Sequence, residues 1–85
     1  MPAKPEVQRR LGRAVKDIRA AKAITQEELS HRTGLHATYI SDIERGARNP
    51  SFEVLVRLAA GLDVPMAELG AAYDRRARRA GSRRT

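Results

Sequence analysis

The stretch GLHATYISDIERG, residues 34–46, sets eleven residues between two glycines, about three turns of helix. Leu35, Ile40 and Ile43 can face a core. Thr38, Ser41, Asp42 and Arg45 recur at i, i+3, i+4 and i+7 and therefore share the opposite side. That outer face is short and polar, with almost no long side chain. A helix built this way buries one side and offers the other to something outside the chain.

Working outward, TQEE at 25–28 fits a capping box that opens a preceding helix with Leu29 turned inward. Gly34 suits the left-handed residue that ends such a helix. Two short helices joined by a glycine turn make a helix-turn-helix. Their close crossing calls for a small residue on the first of them, which Ser30 supplies. Upstream, a first helix is expected from Pro5 or Glu6 to about Lys22, with Val7, Leu11, Val15 and Ile18 as its buried stripe. Downstream, GARNP leads to Ser51, a good N-cap for a fourth helix to Leu62 that buries Leu55, Leu58, Ala59 and Leu62. Pro65 opens a fifth helix, with Leu69 closing the core. With only three aromatic residues and no β-branched runs, the chain reads as all-α, a five-helix bundle.

The 85 residues make one small domain, expected over 6–70, with an N-terminal arm at 1–5 and an arginine-rich extension at 71–85. A core of this size is marginal alone, and a dimer would help it. Two readings of the extension stay open. On one, the fifth helix runs to about Ala80 along the weak stripe Met66, Leu69, Tyr73, Ala77 and Ala80. On the other, order is lost after Tyr73; GSRRT at the end reads as disordered on both.

The absence of cysteine removes disulfides and cysteine-based zinc sites. His31 and His36 have no metal-ligand spacing, and no apolar run reaches the roughly 18 residues of a membrane span. Without an apolar signal segment at its start, the chain is expected in the cytoplasm. No acid pair, nucleophile–base set or phosphate loop suggests an enzyme, and no cofactor is expected. The net charge is +7. Residues 1–24 carry +5, residues 25–70 carry −3 and residues 71–85 carry +5. Basic ends around a mildly acidic middle fit a polyanion gripped at its edges. The arginine tail could hold phosphates, bind an acidic protein partner, or only aid solubility.

The run 11–69, which includes ITQEELSHRTGLHATYISDIERGARNPSFEVLVRLAAGLDVPMAEL, resembles the phage-repressor and Cro-like (Xre-type) helix-turn-helix family. TQEEL, ISDIERG, RNPS and RLA occur together at that family's spacing. The resemblance implies a lambda-repressor-like bundle and a homodimeric regulator of transcription. It would bind near-palindromic double-stranded DNA, with recognition helices about 34 Å apart, on the nucleoid when bound. Restriction-modification controllers of this size are one subtype.

By position, the resemblance gives Gln26 a phosphate at the start of the second helix. Ala37 and Thr38 lie nearest the base edges, followed by Ser41 and Asp42. Tyr39 either reaches the backbone or packs on the fourth helix. Asp42 either accepts from cytosine or, since an acid near phosphates is costly, pairs with a neighbouring arginine. Arg45, Arg48 and Asn49 are placed for the sugar-phosphate backbone, and Arg48 for a base. Arg19 and Glu44 match a partly buried ion pair. Val54 and Val56 leave the core stripe and, with Met66 and Leu69, are expected to form a two-fold dimer patch.

Two positions depart from the family. His36 stands where a better cap usually sits, and Thr33 replaces a branched apolar residue, which weakens packing. The recognition face lacks Gln, Asn or Arg for bidentate base reading, so DNA deformability should contribute more. An alternative reading from another class is an antitoxin-like protein-interaction module with secondary DNA binding.

Overall fold

The computed structural model describes residues 3–81. Five helices follow one another: α1 Lys4–Ala21, α2 Gln26–Thr33, α3 Ala37–Glu44, α4 Phe52–Gly61 and α5 Met66–Gly81. No strand occurs among the described residues.

The helix starts follow local chemistry. Pro5 is accepted in the first turn of α1, where the missing N–H has no partner to lose. The Thr25 hydroxyl accepts from the Glu28 N–H at 3.0 Å, and Ser51 does the same for Val54 at 3.2 Å. The Glu28 carboxylate turns to Arg32 at 2.8 Å, so the capping box is observed from its threonine side.

The helix ends divide into two kinds. Gly34 closes α2 at φ 76°, and Gly46 follows α3 at φ 80°, both in the left-handed region that glycine enters without steric cost. Ala23 and Asp63 do the same work after α1 and α4 at φ 57° and 59°, though neither is glycine. At all three of Ala23, Gly46 and Asp63 the closure is the double Schellman pattern. The Ile24 N–H reaches Arg19 O and the Ala23 N–H reaches Ala20 O. Ala47 and Gly46 reach Asp42 O and Ile43 O, and Val64 and Asp63 reach Ala59 O and Ala60 O. Ile24 is buried and Val64 half-buried, giving the apolar contact that accompanies the motif.

Val15, Leu29, Ile40, Ile43, Leu58 and Leu62 are the largest fully buried side chains, each worth about 1.5–3 kcal/mol in removal from water. Two glycines let the helices approach this core closely. A Cβ on Gly12 of α1 would lie 2.3 Å from Ile43 O and 2.7 Å from Glu44 O. One on Gly61 of α4 would lie 2.5 Å from Thr33 Cγ2 and 3.1 Å from Leu29 Cδ1. These are the tight crossings. Ser30 contributes differently, its hydroxyl donating to Leu35 O across the turn.

The expected domain limits need correction. The boundary at residue 70 falls inside α5, and residues 4 and 5 of the expected arm are helical. Helix α5 packs along α1, with Ala72 buried in the core and Tyr73 against it. Arg76 donates twice to Asp17 of α1, at 2.7 and 2.6 Å. The Arg76 guanidinium holds the Asp17 carboxyl below the usual carboxylate range; partial burial opposes this, while the charges of Arg76, Arg79 and Arg13 reinforce it. A depressed carboxylate stabilises the fold above its unfolded pKa and loses that contribution as pH falls through the folded one. The order of residues 71–81 is thus helical, which corrects the expected disorder at Gly81; the rest of that expectation, 82–85, lies outside the described residues.

The expected dimer patch also changes. Leu69 is 2% exposed and belongs to the core. Val54 and Val56 are two residues apart on a helix and point about 200° apart. Val54 shares the face of Gly61, which meets α2, and packs on the core. Val56 instead is 42% exposed, one turn beyond Phe52 at 70%.

The Gly12 contact is with backbone, which cannot swing aside. Gly12→Ala should destabilise by about 1–3 kcal/mol through overpacking, outweighing the roughly 1 kcal/mol that alanine gains in helix propensity. Urea unfolding followed by circular dichroism measures this, and a wild-type midpoint would refute the close crossing.

Candidate nucleic-acid interface

The helix-turn-helix is held from within. The Thr33 hydroxyl donates to Leu29 O at 2.8 Å and accepts from the Leu35 N–H at 3.1 Å. Its methyl group sits at Gly61. The threonine thus satisfies a backbone donor of the turn, which offsets its weaker packing relative to an apolar side chain. His36 precedes α3 without a side-chain capping bond, as its imidazole is poorly placed to act like a serine.

On α3, Ile40 and Ile43 are buried to 0% and 1%. This leaves Thr38 exposed and Ala37, Ser41 and Asp42 half-buried along the outer side. Eight residues are too few for a stable isolated helix, so α3 exists because its apolar side is packed. The exposed face offers a methyl group, two hydroxyls and a carboxylate.

Asp42 is engaged within the protein. It accepts from Arg45 and, at 3.4 Å, from Arg48. Arg48 also lies 5.5 Å from the centre of the Tyr39 ring, a cation–π distance. Tyr39 is half-buried against the core, so packing and contact with Arg48 occur together. Arg45 and Arg48 remain exposed over 66% and 56% of their side chains. They are oriented by Asp42 yet open to solvent at the C-terminal end of α3. Asn49 lies further round, lining an apolar groove of about 380 Å³ with Val7, Leu11, Pro50 and Tyr73.

Gln26 is drawn to the opposite end of the motif. Its amide donates to Glu44 Oε1 at 3.0 Å. Glu44 Oε2 accepts from Arg19 Nε at 2.7 Å, and Oε1 accepts from a second Arg19 nitrogen at 3.0 Å. The remaining Arg19 nitrogen donates to Ile24 O at 2.8 Å. The Glu44 carboxylate raises Arg19 above its ordinary pKa, against the opposing effect of burial. Side-chain exposure is 15% for Arg19 and 4% for Glu44. One Gln26 N–H is therefore committed inward to Glu44.

Sequence reasoning missed two residues. Phe52 reads from the sequence only as part of the fourth helix, although its separation from Val56 by one turn signals a shared face. Gly12 gives no signal, because a glycine inside a helix does not say which neighbour it admits.

A helix-turn-helix family model matches residues 15–69. Control protein C.BamHI of Bacillus amyloliquefaciens is 42% identical over 59 residues, which is 68% of this chain and 73% of that protein. The restriction-modification controller protein C.AhdI of Aeromonas hydrophila superimposes with a TM-score of 0.71 at 35% identity, covering 73% of this chain and 94% of that one. The controller C.Esp1396I, solved as a tetramer on its natural 35 base-pair operator, gives a TM-score of 0.78 at 31% identity, over 82% and 92% of the two chains.

The network at the base of α3 can be tested directly. Glu44→Ala strands the Arg19 guanidinium and the Gln26 amide, and should cost about 3–5 kcal/mol. Glu44→Gln, which keeps the shape and one acceptor, should cost less. Both are read from urea midpoints; an alanine variant as stable as wild type would mean that the pair carries no structure.

Proposed function

Because the chain belongs to the helix-turn-helix family, matched over residues 15–69, we propose that it is a double-stranded DNA-binding regulator of transcription, of the restriction-modification controller type. It acts as a homodimer on a near-palindromic operator, in the cytoplasm and on the nucleoid when bound. No helix among the described residues is long and apolar enough to cross a membrane. The observation that carries the reading is the polar outer side of α3, with Thr38 exposed and Ala37, Ser41 and Asp42 half-buried, set against an inner side of fully buried Ile40 and Ile43. A single α-helix fits a major groove of about 12 Å.

Ala37 offers a methyl group to thymine, and Thr38 and Ser41 offer hydroxyls to base edges. Asp42 orients Arg45 and Arg48 toward the phosphates, where Asn49 and Gln26 join them. With no bidentate base reader on the face, part of the discrimination comes from the deformability of the site. The relatives C.BamHI, C.AhdI and C.Esp1396I support this reading over the antitoxin-like one.

The two-fold seam is assigned to Phe52 and Val56, with Met66 retained from the expected patch and Val54 and Leu69 removed from it. Phe52 is the most exposed large apolar side chain among the described residues. With Val56 one turn away it makes a shared apolar face, the kind of surface that a partner copy can cover.

Selection of bound fragments from random genomic DNA should return a symmetric consensus. Arg45→Gln with Arg48→Gln should weaken binding to every fragment alike, as removing phosphate contacts does. Enrichment of no sequence, with a stoichiometric protein co-purifying, would replace the proposal with the protein-interaction reading.

Phe52→Glu places an acid in the first turn of α4, where the helix dipole favours it, so the fold should hold. The variant should sediment as a monomer at concentrations where wild type is dimeric. An unchanged dimer would move the seam elsewhere.

A further inference from the structure

We propose that α1 carries a second phosphate-binding surface, a ridge of Arg9, Arg13 and Lys16 that grips the duplex backbone flanking the site occupied by α3. The inference rests on the DNA-binding reading above and extends it to a surface outside the helix-turn-helix.

The three cations occupy i, i+4 and i+7, one face of one helix, and all are exposed. Among the described residues none of them has a hydrogen-bond or ion-pair partner, although Arg13 is near enough to Asp17 to lower its pKa. Most other arginines are engaged: Arg10 with Glu6, Arg19 with Glu44, Arg32 with Glu28, Arg57 with Glu53 and Arg75 with Glu68. In the C-terminal segment, Arg76 is bound to Asp17 and Arg79 also has an interaction. In α5 Arg76 clips to α1 and Arg75 pairs with Glu68 of its own helix, while the three cations of α1 form one exposed, unpaired face.

The ridge begins where α3 ends. Gly46 is pressed on Arg9, so that a Cβ there would be 2.8 Å from Arg9 Cγ. Gly12, between Arg9 and Lys16, meets the carbonyls of Ile43 and Glu44. A recognition helix in the major groove carries the loop after it to the sugar-phosphate backbone. Through the Gly46–Arg9 contact the face of α1 is the surface that adjoins that loop. From Arg9 to Lys16 the helix rises about 10 Å, which matches two or three phosphates at about 3.4 Å of axis each. Unpaired cations at that spacing suit a polyanion and read no sequence.

The test uses the full chain and the consensus returned by the selection. It is offered as a minimal duplex and as one extended by about ten base pairs, one turn, on each side. In Arg9→Gln/Arg13→Gln/Lys16→Gln the log–log salt slope on the extended duplex should fall by up to about 2.7, at about 0.9 for each phosphate no longer neutralised. On the minimal duplex it should equal wild type. Lys16→Gln alone gives the same reading at about 0.9 if the triple variant loses stability. A wild-type slope on the extended duplex overturns the proposal and leaves the ridge for an acidic protein. The Arg45→Gln/Arg48→Gln pair separates the two readings. If it weakens binding to both duplexes while the ridge variants change nothing, DNA binding stands and the ridge fails. If it too changes nothing, the phosphate role of Arg45 and Arg48 fails with the ridge; a selection that returns no consensus is the outcome that ends the DNA-binding reading itself.

Discussion

The buried carboxylate of Glu44 is the point on which three elements converge. It stands at the end of α3, takes two bonds from Arg19 of α1 and a third from Gln26 at the start of α2. Arg19 also ties the turn between α1 and α2 through Ile24 O. An ionised carboxylate with so little water must be answered by donors within the protein, and the arrangement leaves no unsatisfied buried side-chain polar atom among the described residues. Apolar packing alone is non-directional and tolerates rotation of a short helix. The bidentate pair does not, because its planar fork accepts one geometry. Gly12 completes the constraint by letting α1 rest on the carbonyls of Ile43 and Glu44.

The distribution of charge follows from the same economy of pairing. A chain of net charge +7 is expected to bind polyanions indiscriminately. Here Asp42 occupies Arg45 and Arg48 at the edge of the outer face, so that face is close to neutral and small. For the proposed regulator this separates two tasks. Shape, methyl groups and hydroxyls on α3 meet the bases, and cations beside it meet the phosphates.

Helix α5 shows why composition is a weak guide to domain limits. Beyond residue 70 the chain is mainly alanine and arginine, which reads as a solvated extension. Alanine is nonetheless the best helix former and small enough to lie against another helix. Ala72 does so at 2% exposure, and the Asp17–Arg76 clip holds the next turn. The clip is exposed on its acidic side, so its worth is modest. Docking rests chiefly on Leu69, Ala72 and Tyr73.

The sequence by itself determined the all-α bundle, the two capping residues Thr25 and Ser51, the helix ends at Gly34 and Gly46, and which side of 37–45 is apolar. Each of these depends on residues close together in the chain, where periodicity and backbone preference are readable. Tertiary structure alone decided the rest. Ala23 and Asp63 end helices without a glycine because the buried contacts of Ile24 and Val64 support the closure. Gly12 is needed because of what lies across from it. Leu69 belongs to the core and Val54 to the α2 side, while Phe52 takes the open surface, since exposure depends on which neighbours arrive. The inward commitment of Gln26 and the pairing of Asp17 with Arg76, 59 residues apart, have the same cause: a side chain's partner is set by folding, and spacing along the chain does not contain it.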